Sequence, residues 1–222
     1  MELIALSSPD SNRKEIEIIQ GLFEAGLDAY HLRKPGSSKQ QLEAILQPLD
    51  ASVRARIVLH SHPDLALKFS LQGVHASSSF HKPGLLTLSR RQLFALRFRN
   101  LQRSITCHSL ERLTTTRSGF TSLVLSPVFN TISDRNISAG FDERSIRHAL
   151  HRVDIPVYAL GGIEEKTVVQ ARDLGFSGVV LQGTLWRHDR PVESFQEVRM
   201  ALRKPAREAA PLTVVKPAVR SA

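Results

Sequence analysis

Histidines, two adjacent basic residues and two glycine-bearing tetrads are the parts of this 222-residue chain best suited to chemistry. The tetrads are Leu160-Gly161-Gly162-Ile163 and Leu181-Gln182-Gly183-Thr184, and each follows a short apolar run and precedes a helical one. Glycine lets backbone N–H groups close on an anion, and a helix N-terminus attracts negative charge. Gly161, Gly162, Gln182 and Gly183 therefore read as phosphate-binding. His108, in Thr106-Cys107-His108-Ser109, has the residue type for proton transfer, because imidazole titrates near neutrality and can both take and return a proton. Arg33 and Lys34 supply cations for a carboxylate or phosphate, and with His108 they form the expected catalytic set. His31, His60, His75, Thr106, Ser126 and Thr131 are expected to line the same substrate pocket.

His60, His62, His75 and His81 also raise the question of a metal cluster, since imidazole is a common zinc ligand. Their spacing argues against it. His60 and His62 stand two apart on a chain leaving a strand, and the one nearby carboxylate, Asp64, reads as the start of a helix. No metal site is expected, and the histidines are read as pocket lining or proton carriers. Cys107 reads as a small buried apolar residue rather than a nucleophile.

The elements that must position these residues alternate in kind. Short runs rich in β-branched residues are separated by longer segments of helical period, the pattern of repeated βα units around a parallel sheet. Strands are expected at Leu3–Leu6, Ala29–Leu32, Ile57–Leu59, Gly73–His75, Ser104–Cys107, Ser122–Leu125, Val157–Leu160 and Gly178–Leu181. Asp10 or Asn12, Ser38, Ser89, Ser109 and Asp142 are candidate helix starts. Gly26 and Gly175 each sit between a helix end and the next strand, and "RSGFTSLVL" around Gly119 echoes the same phrase. Eight units in this length predict a single (β/α)₈ TIM barrel over residues 1–202. Active sites of such barrels lie at the C-terminal ends of the strands, where the residues named above fall. The long connection from Ser126 to Phe141 reads as an active-site lid.

Composition narrows the function class. With 41% hydrophobic and 23% charged residues, the chain has globular proportions. It lacks the roughly 18 consecutive apolar residues of a membrane span, and Met1–Ser7 has no signal-peptide character. A single cysteine excludes an internal disulfide framework and suits a reducing, cytoplasmic setting. The net charge of +9 is unevenly placed. Residues 203–222 carry Arg203, Lys204, Arg207, Lys216 and Arg220 against Glu208, with three prolines and no amphipathic period, and read as a basic disordered tail. Without aromatic residues interleaved among the basic ones, nucleic acid is not an expected partner. Neither is a membrane; a small phosphorylated ligand is. A homo-oligomer is compatible with the sequence.

The runs "HLRKP", "VLHSHPDLALKFSLQGVH", "ITCHSLERL", "LVLSPVFNTIS" and "IPVYALGGI…GFSGVVLQGTLW" together resemble thiamine phosphate synthase and its relative, TenI-type thiazole tautomerase, over about Leu3 to Trp186. The resemblance implies a TIM barrel binding thiazole phosphate after its last two strands. In the synthases it implies coupling of that thiazole phosphate to a hydroxymethylpyrimidine diphosphate with help from Mg²⁺. His108 matches the position of the tautomerase's general acid/base histidine, which many synthases also carry. The chain departs from the synthase pattern in four places. The family lysine at the second strand falls at Pro35, Asn-Asp after the third strand is His60-Ser61, the metal-binding aspartate aligns near Phe80, and the lid lysine aligns near Asp134 beside Arg135. The expectation that follows is a thiamine-biosynthesis enzyme, with TenI-like tautomerisation slightly ahead of divergent synthase coupling. Mg²⁺ would serve only in the coupling reaction. A non-catalytic binder of phosphorylated ligands stands as the alternative of a different class.

Overall fold

The computed structural model describes residues 1–8, 14–81, 85–116, 119–129, 141–187 and 189–203. Eight strands form a closed parallel barrel in sequence order: β1 (Glu2–Leu6), β2 (Ala29–Leu32), β3 (Ile57–Leu59), β4 (Gly73–Ala76), β5 (Gln102–Cys107), β6 (Ser122–Leu125), β7 (Val157–Leu160) and β8 (Gly178–Leu181). Closure comes from β8 pairing with β1, Val180 opposite Ile4. The expected (β/α)₈ barrel is thus the observed fold. All eight expected strands are present, β5 beginning two residues earlier than its apolar run because Gln102 and Arg103 pair with Gly73 and Val74.

Because successive side chains of a strand point to opposite faces, each strand feeds two cores. Leu3 and Ala5, Tyr30 and Leu32, Ile57 and Leu59, and Leu123 and Leu125 pack outward against the helices. Ile4, Leu6, Ala29, Val124, Tyr158 and Val180 form a second, smaller cluster inside the barrel. Burying each large aliphatic side chain is worth about 1.5–3 kcal/mol, so both layers hold the scaffold rigid beneath the strand ends.

The helices are α1 (Glu15–Glu24), α2 (Lys39–Leu46), α3 (Ala51–Arg54), α4 (Asp64–Lys68), α5 (Leu85–Arg97), α6 (Leu110–Thr115), α7 (Glu143–His151), α8 (Val168–Leu174), α9 (Gly183–Trp186) and α10 (Pro191–Leu202). Ser38 caps α2 in a reciprocal capping box with Gln41, Ser109 accepts from the Arg112 amide at the start of α6, and Asp142 accepts from the Ser145 amide at the start of α7. Ser89 is a correction: it lies inside α5, because the leucines before it are strong helix formers and carry the helix back to Leu85. Asp10 and Asn12 lie outside the described residues. Gly175 ends α8 with φ +100°, a conformation that a Cβ would strain, and so turns the chain into β8. No described helix is long and apolar enough to cross a membrane. The last element, α10, ends at Leu202, and positions 204–222 of the expected tail lie outside the described residues.

Candidate functional site

A cavity of about 520 Å³ opens at the C-terminal ends of the strands, where the barrel architecture leads one to look. His60, His75, Thr106, His108, Ser126 and Gln182 line it, and Arg33 stands at its edge with an exposed side chain. With Lys34, which also lines it, eight of the residues expected from the sequence are brought to this cavity. His31 belongs beneath them. It is buried, and its Nδ1 lies 3.1 Å from His60 Nε2. Thr131 and most of the expected lid lie in positions 130–140, outside the described residues.

Three histidines converge because their strands are neighbours and their positions share the inward face. His31, the third residue of β2, lies opposite Val58; His60 stands two positions further on, just after β3, with its amide on the Leu32 carbonyl; and His75 comes from β4. The rings of His60 and His75 stack with centroids 4.1 Å apart and a 13° tilt, while His31 meets His60 edge-on at 5.2 Å. His75 is gripped at both nitrogens: Nδ1 is 2.8 Å from Ser104 Oγ and Nε2 is 3.0 Å from Thr106 Oγ1, both on β5. Burial pushes all three away from the charged form. It holds His31 down at about 4 and His75 at about 3. His60 lies well below the usual histidine range, its positive neighbours adding to the burial. At neutral pH the cluster is uncharged. His60 and His75 line the cavity as expected, and they are packed into one cluster with His31. His62 is exposed, with φ +49° and its Nε2 on the Ser37 carbonyl, and plays no part in the cluster, whereas His31 joins it. Sequence spacing hid this, since 29 and 15 positions separate the three and only the β2–β3–β4 order unites them.

His108 lies directly after β5, exposed toward the cavity. Its Nδ1 is 2.8 Å from the Ser126 carbonyl. A carbonyl can only accept, so Nδ1 carries the proton and Nε2 of the neutral ring is the proton acceptor. The strand order provides this contact, since β5 and β6 pair through Cys107 and Leu125 and deliver His108 and Ser126 side by side. Cys107, on the outward face, is fully buried with its thiol pushed up to about 11 by burial, in keeping with a packing role.

Arg33 and Lys34 separate sharply. Lys34 is buried, with its Nζ 2.5 Å from Glu15 Oε2 and 2.8 Å from the Ser8 carbonyl, and Glu15 also accepts from Tyr30 Oη at 3.0 Å. Lys34 lines the cavity as expected, but its ammonium is already tied to a buried carboxylate, and breaking that pair by removing one partner would cost about 3–5 kcal/mol. Arg33 is exposed and lines the cavity.

The glycine turns also divide. Gly161 has φ +101°, and a Cβ there would come within 2.8 Å of Pro127 Cβ, so packing of the β6–β7 loops accounts for this glycine without a ligand. Gly162, with φ +64°, opens the next turn, its carbonyl accepting from Thr167 Oγ1 at 2.7 Å. Gln182 lines the cavity and Gly183 begins α9 directly behind it, while Thr184 Oγ1 ties that turn to the β7 loop through the Ile163 carbonyl.

Among the described residues lining the cavity, none is a carboxylate. Phe80, which stands near the position of the synthases' metal-binding aspartate, packs instead against Phe94 and Phe120 with centroids 5.2 and 6.5 Å away. Mg²⁺ demands oxygen ligands, typically one or two carboxylates. The described imidazoles and hydroxyls do not fit it.

A family model described as thiamine monophosphate synthase matches residues 2–185. The thiamine-phosphate synthase of Bacteroides fragilis is 26% identical over 216 residues, covering 89% of this chain and 98% of that protein. A thiamine phosphate pyrophosphorylase structure from Bacteroides thetaiotaomicron superposes with a TM-score of 0.71 at 27% identity, over 90% of this chain and 97% of the other. The pyrophosphorylase from Pyrococcus furiosus, at 18% identity and a TM-score of 0.72 over 90% of this chain and 95% of that one, shares the fold.

Proposed function

Because this chain belongs to the thiamine monophosphate synthase family, we propose that it is an enzyme that binds a phosphorylated thiazole at the barrel mouth and moves a proton on it through His108. The observation that carries this reading is the hydrogen bond from His108 Nδ1 to the Ser126 carbonyl, which leaves Nε2 as the acceptor of a ring facing the cavity. Nε2 takes a proton from one carbon of a thiazole carboxylate and the imidazolium returns it to another. The double bond shifts and no atom is gained or lost. General acid–base catalysis of this kind contributes about 10²–10⁴-fold.

Two further features support the reading. The turns after β7 and β8, with Gly162, Gln182 and Gly183, offer a phosphate the first-turn N–H groups that α9 cannot satisfy internally. Arg33 offers a charge-assisted contact for a second anionic group, such as the carboxylate. A cytoplasmic setting suits the buried thiol of Cys107.

Coupling of a pyrimidine diphosphate to thiazole phosphate is the second reading, favoured by the names of the relatives. It must handle a developing diphosphate without the family's carboxylates in the described wall. Supplying thiazole carboxylate phosphate in one assay, and both coupling substrates with Mg²⁺ in another, separates the two by product. Isomerisation is the expected outcome. Thiamine phosphate alone would replace the proposal with coupling, and silence in both assays with a phosphate-induced rise in Tm would leave a binder. Gly162→Val is expected to abolish that rise, and an undiminished rise would move the phosphate elsewhere.

A further inference from the structure

We propose that His31, His60 and His75 form a three-histidine site for a divalent transition metal of the zinc class at the floor of the cavity, leaving a coordination position open to the cavity. One ring nitrogen from each histidine lies within 4.8 Å of the others. Two nitrogens bound at zinc's usual distance and tetrahedral angle are roughly 3.3 Å apart, and His31 Nδ1 and His60 Nε2 are already 3.1 Å apart. Ring centroids around such an ion are roughly 5 Å apart. The His31–His60 pair stands at 5.2 Å, while the stacked His60–His75 pair at 4.1 Å has to splay by about 1 Å.

The third ligand comes with its own support. His75 holds Ser104 Oγ on one nitrogen and Thr106 Oγ1 on the other. Binding a metal through either nitrogen leaves the opposite hydroxyl to fix the ring, the outer-shell partner that metal-bound histidines almost always have. The donor set is all nitrogen, which suits Zn²⁺, Co²⁺ or Ni²⁺ and not Mg²⁺ or Ca²⁺. His60 and His75 line the cavity, so the fourth position of a three-ligand site faces the space where an anionic ligand would enter, as catalytic rather than structural zinc sites do.

Metal titration reads this site without turnover, separately from the proposed proton transfer at His108. The full chain, stripped with chelator, is titrated with Co²⁺ and with Zn²⁺. One equivalent of Co²⁺ is expected to give the intense visible bands of a four-coordinate site. The double variant His60→Asn/His75→Asn is expected to weaken Zn²⁺ by at least about 100-fold, and Thr106→Val/Ser104→Ala by about 10–100-fold. His62→Ala, exposed and outside the cluster, leaves affinity unchanged. X-ray absorption at the zinc edge on the native chain covers the case in which the double variant does not fold: three imidazoles around the ion support the site. Fewer than three, no saturable one-to-one binding, or a folded double variant that binds as tightly as the native chain would each overturn it.

Discussion

The inside of the barrel has two unlike halves. Along β1 and β6 to β8 the inward residues are mostly apolar: Ile4, Leu6, Val124, Tyr158, Leu160 and Val180 cluster with Ala29 from β2, with Ser122 and Glu2 at the lower rim. Along β2 to β5 they are mostly polar: His31, His60, His75, Ser104 and Thr106 are joined by hydrogen bonds and ring stacking, beside the apolar Val58. One continuous sheet thus supports two kinds of interior. The apolar half contributes stability by removing aliphatic surface from water, and needs no particular geometry beyond close packing. The polar half gains little net stability from its hydrogen bonds, since the unfolded rings find equal partners in water, but it fixes where each nitrogen points. The polar half fixes the histidines in place, while the turns above β7 and β8 on the other half carry the proposed phosphate contacts.

If that division is real, substitutions on the two sides should fail in different assays. His108→Asn is expected to produce the largest change, a drop in turnover of about 10²–10⁴-fold with Tm nearly constant, measured by steady-state kinetics beside a thermal melt. A parallel loss of Tm would mean that the polar half is structural after all. Ile4→Ala, in the other half, should reverse the pattern, lowering unfolding free energy by about 2–5 kcal/mol in urea while kcat per folded molecule holds. A kcat change as large as the first variant's would erase the distinction.

A smaller effect appears with pH. His31 and His75 have folded values of about 4 and about 3, below the roughly 6.5 of an unfolded histidine. Above pH 6.5 neither state binds their protons, and the folded state carries no penalty. As pH falls from 6.5 toward 4 the unfolded chain takes up protons that the folded chain refuses, so stability declines by about 1.4 kcal/mol per pH unit for each ring. Urea melts between pH 6.5 and 5 should show that slope, and His75→Gln should make it shallower by one ring's share. The smallest change is reserved for neither half. Lys68→Ala removes an exposed ion pair with Glu43 between α4 and α2, and should cost less than about 1 kcal/mol, vanishing in high salt.

The parts of the molecule legible in sequence were those with local causes. Eight strands could be read because each is a short apolar run buried on both faces, and Ser38, Ser109 and Asp142 announced their helices by the hydrogen bonds their side chains make within three residues. Ser89 misled because a good cap residue also tolerates a helix interior when leucines surround it. His108 was legible as a strand-end histidine, but its tautomer was not, because Ser126 lies 18 residues away. Lys34 and Glu15 were opaque for the same reason, their pairing being made by α1 folding back beside β2. The histidine cluster is the clearest case. Nothing in the intervals between His31, His60 and His75 signals convergence, and only the closed strand order and inward register create it.

The pairing of β8 with β1, reinforced by Trp186 Nε1–H on the Leu6 carbonyl across 180 positions, sets a timetable for the growing chain. Until Gly178–Leu181 has emerged from the ribosome, β1 has an open edge of unpaired amides and carbonyls, and the barrel interior is a trough rather than an enclosure. The nascent chain therefore carries an adhesive seam along β1 until β8, the last strand made, arrives to seal it.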